Sequence, residues 1–178
     1  MRAFGYCRAS VMPAPGRNRL IETGLSALVL ALILILGPAA PVAAGPLEDG
    51  VSAYERGDYA TALRLLRPLA DQRLAPAQFY LGLMYMNGVG VAQDHGEAAK
   101  WIRKAADQGL ALAQFILGVM YDNGQGVAQD YVQAHMWFDL AASRFVGDAV
   151  KDRDRAAATM TPAQVAEAQR LAREWQPK

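Results

Sequence analysis

Cysteine is almost absent. The single one, Cys7, lies in a basic N-terminal leader, so the chain beyond residue 44 carries no thiol, no disulfide and no cysteine-ligated metal. No cysteine follows the apolar run Leu25 to Leu36, where a lipoprotein signal requires one, and lipid anchoring is not expected. Histidine is equally scarce. His95 and His135 stand in different segments without HExxH or Cys/His spacing, so a zinc site is unsupported. His95 is expected in the exposed first turn of a helix. His135, at a position that holds alanine one segment earlier, is expected at the surface or its boundary. Ser52 and Ser143 lack the Gly-x-Ser-x-Gly surroundings of a hydrolase nucleophile. The chain is therefore read as a non-enzyme with no cofactor, no metal and no catalytic residue. An excess of charge is missing too: the formal net charge is +1, which argues against a dedicated nucleic-acid binder. Arg2, Arg8, Arg17, Arg19 and Glu22 all precede residue 45, leaving fourteen basic and sixteen acidic side chains on an ordinary surface.

What is present begins with the leader. Arg17 and Arg19 precede "LSALVLALILIL", and Gly37-Pro38 then breaks the run before "AAPVAAG". These are the basic, apolar and small-residue parts of a secretory signal, with Val42 and Ala44 suiting cleavage after Ala44. Residues 1–44 are thus expected to be a signal peptide, making the protein periplasmic or secreted. The alternative is an uncleaved inner-membrane anchor facing the periplasm, since Gly24 to Ala44 is 21 uncharged residues. Membrane contact is expected only through this segment.

The remainder is organised by a repeat. Ala77–Leu112 aligns without a gap on Ala113–Asp148 with 18 identities in 36 positions, 14 of them in the first 18. A period of this size points to stacked helix pairs, each too small to bury its apolar face alone. Ala77, Leu81, Met84 and Tyr85, like Ala113, Leu117, Met120 and Tyr121, follow the i, i+4, i+7, i+8 spacing of a helical stripe. Gly82 and Gly118 lie inside these helices, where glycine costs about 1 kcal/mol relative to alanine, and close approach of a neighbouring helix is the expected compensation. Asn87-Gly88 and Asn123-Gly124 stop the helices, and Gly90 and Gly126 permit a second sharp turn. No Gly-Lys-Ser/Thr follows and no strand precedes, so these loops are not phosphate cradles. Asp94 and Asp130 stand where second helices begin, and with Glu97 and Gln133 three residues on they predict capping boxes. Trp101 and Trp137, each among alanines, supply bulk for a seam between pairs; a ligand box is the alternative use of such aromatics.

The pattern Ala-x3-Leu-Gly-x2-Tyr-x2-Gly-x-Gly-Val-x2-Asp-x3-Ala-x2-Trp-x3-Ala-Ala, met in full by both copies over about 70 residues, resembles the Sel1-like repeat, a relative of the tetratricopeptide repeat. The reading that follows is all-α: a short α-solenoid of antiparallel helix pairs. It comprises a degenerate repeat over 45–76, repeats over 77–112 and 113–145, and capping helices over 146–178. In the degenerate repeat, Asp58, Ala62 and Ala70 precede Asp94, Ala98 and Ala106 by one period, an opening helix is expected over about Leu47 to Arg56, and Pro68 predicts a kink. Phe145 replaces the glycine that the pattern implies. "TPAQ", from Thr161, is a clean helix start. The resemblance implies an adaptor that binds a protein or peptide partner on a concave face lined by first helices. Positions where the copies differ, Tyr80/Ile116, Met86/Asp122 and Val89/Gln125, are candidate contacts together with Asn87 and Asn123. The alternative is an envelope protein that binds or modifies cell-wall peptidoglycan.

Overall fold

The structure, a computed structural model, describes residues 45–144 and 146–178. The expectations for the leader and for Phe145 lie outside the described residues. Those residues form eight α-helices and no strand: α1 (Pro46–Glu55), α2 (Tyr59–Asp71), α3 (Ala75–Asn87), α4 (His95–Asp107), α5 (Ala111–Asn123), α6 (Tyr131–Ala142), α7 (Ala149–Ala157) and α8 (Pro162–Glu174). Helices adjacent in sequence pack on one another as far as α7, and α8 also closes on α6. The architecture is an α-solenoid of helix hairpins.

No hairpin completes a core by itself. Leu81, Met84 and Trp101 of the α3–α4 hairpin are buried with Ala53, Ala62 and Leu66 of the hairpin before it. Phe79 and Ile102 of the same hairpin are buried with Leu117, Met120 and Trp137 of the hairpin after it. The middle hairpin is therefore apolar on two sides, and both sides need a neighbour to leave water.

Alanine and glycine set how near the helices come. A Cβ on Gly82 would lie 2.7 Å from the Ile102 side chain, and one on Gly118 would lie 2.7 Å from the Phe138 ring. Each glycine thus offsets its helical propensity cost with a close crossing inside its own hairpin.

Several local expectations need correction. α2 runs unbroken through Pro68. Asp94 accepts from the Glu97 amide, but the Glu97 carboxylate bonds Lys100 at 2.6 Å instead of turning back to the cap. Asp130 accepts from both the Val132 and Gln133 amides. Among the described residues a reciprocal capping box closes only at Thr161 and Gln164. His135 is 2% exposed rather than at the boundary, because the alanine position it occupies, like Ala99, faces the interior. The helix α7 starts at Ala149.

Candidate binding face

The loops between first and second helices are closed by their own residues. At the end of α3, the Gly88 and Val89 amides both donate to the Met84 carbonyl, the Asp94 amide donates to Tyr85, and the Gln93 side chain donates to Met86 at 2.9 Å. The second copy repeats this, with the Asp130 amide on Tyr121 and the Gln129 side chain on Asp122 at 2.7 Å. Carbonyls that a helix end leaves unpaired are thereby satisfied within ten residues. Asp94 and Asp130 each act twice, the main chain ending one helix and the carboxylate starting the next. Gln93 and Gln129 were not singled out in the sequence, although both stand in the shared "VAQD".

The same loops join one hairpin to the one before it. Gly90 and Gly126 have φ of 72° and 73°. A Cβ on Gly90 would lie 3.0 Å from the Tyr59 carbonyl, and one on Gly126 would run into the His95 carbonyl. These glycines admit the first turn of α2 and of α4. Beside the second contact, the Gln125 amide lies 3.3 Å from the His95 ring.

A recurring cation–aromatic set ties the second helices together. The Arg67 guanidinium donates to the Tyr85 hydroxyl at 3.3 Å and stands 5.7 Å from the Trp101 ring. One period on, Arg103 donates to the Tyr121 hydroxyl and stands 5.9 Å from Trp137. Trp101 and Trp137 are 7% and 2% exposed, so most of each ring belongs to the core.

The candidate contact residues fall into three states. Tyr80 and Ile116 are half-buried. The Tyr80 ring meets Tyr54 of α1 edge-on at 5.3 Å, which brings the first helices α1 and α3 together, and burial raises its hydroxyl above the ordinary tyrosine range. Asn87 and Asn123 are exposed at the ends of α3 and α5, and Met86 is half-buried. Asp122 is engaged within the chain: Arg155 of α7 pairs with it at 2.7 Å, and that bond raises the Arg155 guanidinium further. Tyr54 and Tyr59 complete the tyrosine group around Tyr80, with rings 5.6 Å apart. They lie in the degenerate repeat, where no matching copy drew attention to them.

Among the described residues no group of three or more His, Cys, Asp or Glu side chains is placed to hold a metal ion. No helix among them is long and apolar enough to cross a membrane.

A row of interlocked hairpins with paired first helices defines the class, a short α-solenoid of the kind built from repeated helix pairs. The particular repeat follows from comparison: residues 75–110 and 111–144 match the family model described as Sel1 repeat, so the chain carries two Sel1 repeats in tandem. Similar solved structures agree. One is a protective antigen of uropathogenic Escherichia coli with an SLR fold, 31% identical, with a TM-score of 0.70 over 89% of this chain and 33% of that one. Another is a Sel1 repeat protein from Oxalobacter formigenes, 28% identical, with a TM-score of 0.61 over 75% of this chain and 55% of that one. The chain therefore spans about a third and about half of the lengths of these relatives. No curated protein matches it in sequence. The Sel1-repeat fold suggests a protein–protein interaction scaffold.

Proposed function

We propose that this chain is an exported, non-enzymatic adaptor that binds a segment of another envelope protein across its first helices, α1, α3 and α5. The observation that carries the reading is the contact of Tyr80 with Tyr54, which joins the first helices α1 and α3 of successive hairpins. Asn87 and Asn123 stand exposed at the ends of α3 and α5 and offer amide donors and acceptors, while Tyr80 and Ile116, two turns earlier on the same helices, are half-buried apolar side chains. Asp122, paired with Arg155, shapes the face instead of reaching across it. Export rests on the leader, with its basic start, apolar run and small residues before Gly45.

A photo-crosslinking residue placed at Asn87 in intact cells is expected to recover a discrete periplasmic protein, whereas one at Arg170, on the outer side of α8, recovers none. Equal yields from both positions, or none above background from either, contradict the reading. Pelleting of the purified protein with peptidoglycan, in the absence of any protein partner, favours the cell wall as ligand. Tyr80→Ala is expected to weaken capture with helicity retained.

A further inference from the structure

The turn between α2 and α3 opens on a cleft of about 360 Å3, whose walls include Arg73, Gln78, Trp101, Lys104, Asp107 and Gln108. Advancing each by 36 residues gives Gly109, Gln114, Trp137, Leu140, Ser143 and Arg144. In that second copy the corresponding place is taken. Trp175, just past α8, sets its ring edge-on to Trp137 at 6.4 Å. Its outer edge lies 3.5 Å from where a Cβ on Gly109 would stand, next to the Arg144 guanidinium. Leu140 and Trp175 pack against the same buried cluster. The chain leaves Trp175 in extended conformation, the Lys178 amide donates to the Asp107 carbonyl at 2.8 Å, and Lys178 reaches the rim of the first cleft. One copy of the site thus displays its occupant, an aromatic side chain on extended backbone just past a helix, and the other copy stands open.

The differences between the copies define what the open one would take. Arg73 replaces Gly109 and Lys104 replaces Leu140. Arg73 holds a φ of 67°, where Gly109 has 85°. The left-handed conformation strains a residue with a Cβ, and strain of this kind gathers at ligand sites. Asp71 pairs with Arg67 at 3.6 Å, and Asp107 lies 4.0 Å from the Lys178 ammonium. Arg73 and Lys104 have no ion-pair partner among the described residues. Lys104 instead rests its ammonium 3.7 Å from the centre of the Trp101 ring, on a stem flexible enough to turn to an anion.

We propose that the α2–α3 cleft is a docking pocket for an aromatic residue flanked by a carboxylate in a partner polypeptide. The ring occupies, relative to Trp101, the place that Trp175 occupies relative to Trp137, and the carboxylate pairs with Arg73 and Lys104. This pocket lies apart from Tyr80 and Asn87, so its occupancy does not depend on the first-helix face.

The test is a titration of the peptide Ac-Glu-Trp-Glu-NH2 into the nitrogen-15-labelled full chain, followed by two-dimensional NMR. Saturable shifts are expected at the Trp101 indole N–H and at the amides of Arg73, Gln78 and Gln108. The double variant Arg73→Gly, Lys104→Leu installs residues that the next repeat already carries and relieves the strained turn. It is expected to fold at least as stably while binding the peptide about tenfold more weakly or worse, and Ac-Gln-Trp-Gln-NH2 is expected to bind the parent protein weakly. Absence of shifts at millimolar peptide overturns the proposal, as do shifts centred on Tyr80 and Asn87 or undiminished binding to the variant. The same shifts appearing on raising the protein concentration alone identify a second copy's tail as the occupant and overturn it equally.

Discussion

At the scale of single residues, two glycines with similar backbone angles have different work. Gly57 has a φ of 78° and open space around the position of a Cβ, whereas Gly126 has a φ of 73° and faces the His95 carbonyl. Gly57→Ala is expected to cost about 1–2 kcal/mol in urea denaturation, the strain of the left-handed conformation alone. Gly126→Ala adds about 1–3 kcal/mol more, since main chain and not a flexible side chain must give way. Equal losses at the two sites would place the Gly126 loop away from α4. His135 supplies a second residue-scale prediction. Burial lowers its folded-state pKa below the ordinary 6.5; the nearby charges are Asp139 of its own helix and Arg153 and Asp154 of α7, and its Nδ1 is buried without a partner. Favouring the neutral ring, folding gains a stabilisation that is complete above pH 6.5 and is lost as the pH falls through that value. The urea midpoint should drop from pH 8 to pH 5.5, and His135→Ala should flatten that slope whatever it does to stability at pH 8.

At the scale of elements, the ends of helices were more legible than their contents. The Asp caps, the left-handed glycines and the start at Thr161 are local hydrogen-bonding problems whose solutions stand within four residues of one another. The return bond at Glu97 was not readable, because Lys100 one turn on competes for the same carboxylate. Pro68 does not break α2, whose residues Leu66 and Ala70 are held in the core. His135 was misplaced for a related reason, since a polar residue at an alanine position says nothing by itself about which side of the helix is covered by α7. Capping at Thr161 allows a test confined to one element. Thr161→Ala is expected to cost about 1 kcal/mol and to speed amide exchange in α8 while leaving α3 and α4 unchanged. Uniform acceleration across the chain would mean that α8 does not open separately.

At the scale of the whole molecule, the order of helices and their assembly into a solenoid of Sel1 repeats could be read from periodicity, because two copies with one pattern constrain each other. What periodicity could not reveal is how the copies differ in company. Asp122 finds Arg155, 33 residues away, and Trp175 settles against Trp137, and neither pairing has a counterpart in the earlier repeat. The central claim is that successive hairpins interlock, each loop seated on the preceding second helix. Nuclear Overhauser spectroscopy measures this directly, with the contacts inside hairpins as internal standard. Cross-peaks from the Gly126 α-protons to the Gly96 amide and between the Tyr54 and Tyr80 rings are expected alongside those joining Gly118 to Phe138 and Gly82 to Ile102. Persistence of the latter pairs with loss of the former would describe hairpins that fold without stacking, and would contradict the account.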